Sequence, residues 1–169
     1  MQVFFDAARE GNISDVNKHL DDGVHADSQD ENGNTAWMLA FRGGHEAVCE
    51  LLITRGCNVD KQSRKDGDTA LIRAAAFGHE AVCELLITRG CNVNMQDKTG
   101  GTALIWAAEN DEIPVVISLI KAGCDYSLRN NQSKSGMDWL RERHPDKVKE
   151  VQVSHLHCIR YSLAHLEQK

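Results

Sequence analysis

Apolar residues in this chain fall in short helical runs separated by polar turns. Between Gly78 and Gly90, the residues Val82, Leu85, Leu86 and Ile87 form a stripe at helical spacing, which predicts a helix over 79–89. Upstream, Thr69 is a good N-cap for the run 70–77, and Gly78 ends that run. The stretch CNVNMQDKTG that follows has the Asn, Asp and Gly of a turn. One unit therefore reads as two helices and a turn. In a later unit Pro114 falls in the first turn of the second helix, where its missing N–H costs nothing.

The unit recurs. Gly33-Asn34-Thr35, Gly67-Asp68-Thr69 and Gly100-Gly101-Thr102 stand at steps of 34 and 33 residues. Val48, Val82, Val115 and Val148 keep the same step, as do Gly56, Gly90 and Gly123, and Cys57, Cys91 and Cys124. A weaker copy opens the chain at Ala7-Ala8, Gly11 and Gly23, and another closes it around 130–151. A period near 33 in five registers means a solenoid, in which each unit buries its apolar face only on its neighbours.

These residues resemble the ankyrin repeat. The pattern D-x-x-G-x-T-P-L-H-x-A-A-x-x-G-H is approached by DENGNTAWMLAFRGGH, RKDGDTALIRAAAFGH and DKTGGTALIWAAEND. The resemblance covers roughly residues 3–151 and departs in places. Pro is replaced by Ala36, Ala70 and Ala103, and the first-helix His by Met38, Ile72 and Ile105, so apolar packing is expected where the family makes hydrogen bonds. The resemblance implies an all-α helix-turn-helix solenoid. Its expected division is an array over 1–151, with an N-terminal half-repeat as cap (1–29), repeats 30–63, 64–96 and 97–129, and a C-terminal cap (130–151). A C-terminal helical extension over 152–169 follows. The first repeat runs one residue long, so the loop around Gln62–Asp66 is expected to be displaced.

Residues 44–59 and 78–93 agree at all sixteen positions, whereas 30–43 and 64–77 agree at four of fourteen: Gly33/Gly67, Thr35/Thr69, Ala36/Ala70 and Ala40/Ala74. In ankyrin-like stacks the second helices form the convex back, and the turns and first helices line the concave face. The identical half reads as scaffold and the divergent half as a recognition surface. By the resemblance, the exposed turn positions are Glu31, Asn32, Asn34, Lys65, Asp66, Asp68, Lys98 and Thr99. First-helix positions facing the groove are Arg42, Phe77, Glu109, Asn110 and Arg143. A further row, in the slot after the family His, runs Leu39, Arg73, Trp106 and Trp139. Two Trp and a Phe beside Arg have the composition of an interface hot spot, although the same slot also serves half-buried packing residues.

Charge narrows the partner. Residues 1–128 hold 11 Lys and Arg against 20 Asp and Glu, while 129–169 hold 8 against 5. An acidic body repels phosphate and argues against nucleic acid; it steers a basic or amphipathic protein segment instead. No apolar run reaches membrane-spanning length, and MQVFFDAARE carries acids where a signal peptide needs a basic start. A cytoplasmic monomer is expected, with the nucleus also open to it.

Candidate chemistry is sparse. His45-x-x-x-Cys49 and His79-x-x-x-Cys83 each share one helical face, and two such pairs on stacked helices would supply a Cys₂His₂ set for zinc. That gives the alternative reading, a metal- or redox-responsive protein. Against it, neighbouring helices sit about 8–10 Å apart, and the cysteines occupy buried positions of the resemblance. No nucleophile with its orienting acid, no phosphate loop and no cofactor motif is present, so neither an enzyme nor a bound cofactor is expected. In the tail, Leu156, Ile159, Leu163 and Leu166 predict an amphipathic helix that either folds back over the stack or forms a second contact or dimer seam.

Overall fold

A computed structural model describes residues 1–149, 151 and 153. Its helices alternate in two layers. The first helices are α1 (Gln2–Glu10), α3 (Ala36–Arg42), α5 (Ala70–Ala76), α7 (Ala103–Glu109) and α9 (Gly136–Arg143). The second helices are α2 (Ile13–Asp21), α4 (Glu46–Thr54), α6 (Glu80–Thr88) and α8 (Ile113–Lys121). A further helical run occupies 145–149 at the edge of the described residues. The expected tail helix, with Leu156, Ile159, Leu163 and Leu166, lies outside them.

Each first helix from α3 onward starts the same way. The hydroxyls of Thr35, Thr69, Thr102 and Ser135 accept from the N–H of Met38, Ile72, Ile105 and Asp138, each at 3.2 Å, which satisfies one orphan donor per helix. Met38, Ile72 and Ile105, standing where the resemblance has His, are buried in the stack. Ala40, Ala74 and Ala107 are fully buried, and these small residues let adjacent first helices approach more closely than adjacent second helices do.

The N-terminal unit departs from the expected half-repeat. It has both helices, α1 and α2, and lacks only the turn that precedes a first helix elsewhere. Two helix ends also shift: α5 stops at Ala76 with Phe77 as its cap, and α6 runs from Glu80 to Thr88 between the caps His79 and Arg89.

The turns project as fingers, and three of them share one device. Asp30 Oδ1 accepts from Asn32 N and Asn34 N, Asp97 Oδ1 from Thr99 N and Gly101 N, and Asn130 Oδ1 from Gln132 N and Lys134 N, all at 2.7–3.0 Å. The extra residue in the second finger forces a substitute. There the Ser63 hydroxyl accepts from Asp66 N at 3.3 Å and Asp68 N at 3.2 Å, and the backbone closes from Ser63 to Asp68 rather than across four residues. The extra residue thus changes how the second finger closes.

Candidate partner-binding site

Two depressions lie side by side on the finger and first-helix face, with Trp106 in the wall of both. The first, of about 250 Å³, is lined by Arg42, Asp66, Asp68, Ile72, Arg73, Ala76, Phe77 and Trp106. The second, of about 300 Å³, lies between α7 and the finger of the C-terminal cap, against Thr99, Ile105, Trp106, Glu109 and the amides of Asn130, Asn131 and Gln132. Residues expected along the face from three separate units thus converge around one indole.

That indole is fixed. Trp106 Nε1–H donates to Asp97 Oδ2 at 2.7 Å, while the other oxygen of Asp97 holds its own finger. A half-buried ring with its polar atom satisfied presents a rigid apolar wall. Phe77 is the exposed partner across the first depression, at 52% exposure, with the Arg42 guanidinium 5.7 Å from its ring centroid.

Arg73 braces the floor between them. Its side chain is only 13% exposed and pairs with Asp68 at 3.3 Å and Asp66 at 3.6 Å. The ion pair to Asp68 is close but poorly aligned, so Arg73 Nε remains without a hydrogen bond. Burial pushes the Asp68 carboxyl above the ordinary carboxylate range; Arg73 opposes that shift, and the neighbouring Asp97 and Asp66 add to it.

Other expected positions serve the stack itself. Leu39 is a correction: it is 5% exposed and belongs to the core cluster, because a short apolar side chain in this slot packs inward where Arg73 and Trp106 reach the surface. Lys98 is exposed, but its ammonium donates to the carbonyls of Arg64 at 2.7 Å and Lys65 at 2.9 Å, clamping the longer second finger to the third. Asn34 is half-buried against Asp30, and Asn110 bonds the Trp106 carbonyl at 3.1 Å. Arg143 donates to the Glu109 carbonyl oxygen and pairs with Asp111 at 3.2 Å. Those bonds from Arg143 and His144 hold the Asp111 carboxyl below its usual value. Trp139 is half-buried, with Lys134 Nζ 3.9 Å and the Arg143 guanidinium 5.1 Å from its ring centroid. Glu31, Asn32 and Lys65 stand exposed on finger tips. Asp97 and the amide row Asn130–Gln132 were not expected in the site. Asp97 stands in the turn motif DKTG, and its second role toward Trp106 leaves no mark on spacing.

The histidine and cysteine pairs are also committed. His45 Nε2 lies 3.0 Å from the Arg9 carbonyl oxygen and His79 Nε2 lies 3.3 Å from that of Arg42; a carbonyl only accepts, so each ring holds its proton there. A Cβ at Gly11 would lie 2.5 Å from His45 Nδ1, and Gly11 has φ 77, so only glycine fits beneath that ring. The five described cysteines are free and buried. Burial pushes the thiols of Cys57, Cys83 and Cys124 up to about 12 and Cys91 to about 11, and raises Cys49 further still. Among the described residues, no three His, Cys, Asp or Glu side chains are placed to share a metal ion.

The family model for ankyrin repeats matches residues 4–97 and 59–130, three copies in all. The chain belongs to the ankyrin-repeat family. This ankyrin-repeat chain also resembles the ankyrin repeat and KH domain-containing protein mask of Drosophila melanogaster, at 47% identity over 47 residues. That stretch covers 27% of this chain and 1% of the fly protein. Ankyrin repeats mediate protein–protein interaction, and the family is typically non-catalytic. Among the described residues no helix is long and apolar enough to cross a membrane.

Proposed function

We propose that this ankyrin-repeat protein is a non-catalytic interaction module that binds a protein partner across its finger and first-helix face, centred on Phe77 and Trp106. The observation that carries the reading is the pair of depressions sharing the tethered Trp106. Divergence of this face between two units whose second helices are identical supports the same reading. The partner contributes a basic or amphipathic segment, in keeping with the acidic balance of residues 1–128. Neither nucleic acid, a membrane nor a cofactor enters the reading. The protein acts as a monomer in the cytoplasm or nucleus, where buried free thiols such as Cys49 and Cys83 stay reduced.

Affinity capture from the protein's own cell extract tests this reading. The wild type retains its partner and the Phe77→Ala, Trp106→Ala double variant does not. Equal capture by both counts against the face.

A further inference from the structure

Resting on the binding reading above, we propose that the depression between α7 and the last finger is a subsite for one cationic side chain, a lysine or arginine of the partner segment. Four observations define the occupant.

The first is the wall. The Trp106 indole is held by its bond to Asp97 at 2.7 Å, so the ring is ordered before anything binds. An ordered indole attracts a cation through its electron-rich face, and tryptophan does so better than the other aromatics.

The second is an unanswered charge. Glu109 lies three residues beyond Trp106 on α7, on the same helical face, and lines the same depression. Among the described residues its carboxylate has neither a hydrogen bond nor an ion pair, although it is half-buried. Arg143 is nearby but donates to the Glu109 backbone carbonyl and pairs with Asp111 instead, which leaves the carboxylate uncompensated.

The third is that, among the described residues, no cation lines it. The remaining walls are Ile105, Gly101, Thr99 and the amides Asn130, Asn131 and Gln132. The neighbouring depression, across Trp106, differs in kind: its acids Asp66 and Asp68 already pair with Arg73. The fourth is size. At about 300 Å³ the space stands at the small end of side-chain and ligand pockets, suited to a single long side chain rather than a helix.

A lysine or arginine entering here lays its apolar stem on Ile105 and Trp106 and brings its charge to Glu109, with the side-chain amide oxygens of Asn131 and Gln132 accepting the remaining protons. Glutamate supplies the charge and tryptophan the face, so the subsite selects for a cation over a neutral side chain of equal length.

The test uses the full chain, ¹⁵N-labelled, titrated with Nα-acetyl-lysine amide, Nα-acetyl-arginine amide and the neutral Nα-acetyl-norleucine amide. The Trp106 indole N–H and the Glu109 amide signals are expected to move saturably with lysine or arginine and not with norleucine. Glu109→Gln is expected to weaken that response about threefold or more, with the melting temperature unchanged. Lysine alone responding, or arginine alone, identifies the side chain. Equal movement with norleucine, no movement with any amide, or an unaltered response in Glu109→Gln overturns the subsite. If the amides fail while Phe77→Ala still weakens the partner, the subsite is wrong and the binding face stands. If Phe77→Ala and Trp106→Ala both leave the partner's binding unchanged, the binding face itself is wrong.

Discussion

Asp97 holds Trp106: the indole N–H donates to one carboxylate oxygen at 2.7 Å, while the other oxygen accepts from Thr99 N and Gly101 N of its own finger. One side chain thereby joins the geometry of a turn to the orientation of an aromatic ring in the next helix. Asp97 is 8% exposed, so water does not readily replace either bond.

Asp97→Ala removes the acceptor from a partly buried indole and from two backbone donors. Unsatisfied donors of this kind cost about 1–3 kcal/mol each, with partial relief where water enters. The variant should melt below the wild type, and its Trp106 indole N–H signal should lose its hydrogen-bonded shift. Trp106→Phe removes only the indole donor and leaves the bonds of Asp97 to Thr99 N and Gly101 N intact, so it should cost less in stability. Urea titrations of the two variants compare them.

The last capped helix carries a pH dependence. The Ser135 N–H and hydroxyl donate to Asp138, with Arg129 adding its charge, and together they hold the Asp138 carboxyl down at about 2. A depressed folded pKa gives stability that is fully present above the unfolded value of about 3.9 and is lost as pH falls toward the folded one. Asp138→Asn should therefore lower the melting temperature at neutral pH, and the gap to wild type should close between about pH 4 and 2. A gap that persists at pH 2 would locate the effect in packing rather than charge.

The buried thiols should be slow to react. With Cys57, Cys83, Cys91 and Cys124 pushed up to between about 11 and 12, little thiolate exists at pH 8, and burial blocks the reagent as well. Alkylation followed by peptide mass spectrometry should find these positions protected in the native protein and labelled in urea. The double change Cys49→Val, Cys83→Val should shift stability by less than about 1.5 kcal/mol, since volume and apolar character are kept. Rapid native labelling would revive the redox alternative.

The finger clamp gives a separate expectation. Lys98→Met removes the donor to the Arg64 and Lys65 carbonyls while keeping most of the stem. Amide exchange should quicken in residues 63–68 and remain unchanged in α5, whose cap at Thr69 is independent of the clamp.

The period of 33–34 residues, the Thr caps and the glycine stops carried the architecture, because each depends on local backbone geometry that one residue type satisfies. The site was legible as a row of positions, since the resemblance to the ankyrin repeat implies that Phe77 and Trp106 share the groove face. What escaped were side-chain bonds to the fingers, both within a unit and across units. Leu39, Arg73 and Trp106 are equivalent by register, yet one is buried, one is an ion-paired brace and one is tethered to Asp97. Side-chain length and the identity of the finger residues just upstream decide that, Asp66 and Asp68 for Arg73 and Asp97 for Trp106, and the periodic pattern marks none of these pairings. Lys98 reads as an exposed basic tip, because the carbonyls of Arg64 and Lys65 that it bonds belong to the preceding unit, 34 and 33 residues away.

Titration calorimetry of the captured partner's binding segment against Phe77→Ala tests the central claim most directly, because Phe77 is 52% exposed and its truncation leaves the core untouched. Phe77→Ala should weaken binding by roughly 1–3 kcal/mol with an unchanged melting temperature, while Glu50→Lys, Glu84→Lys on the opposite face should keep full affinity. Full affinity in Phe77→Ala together with loss in Glu50→Lys, Glu84→Lys would contradict that claim and move the binding surface to the second helices.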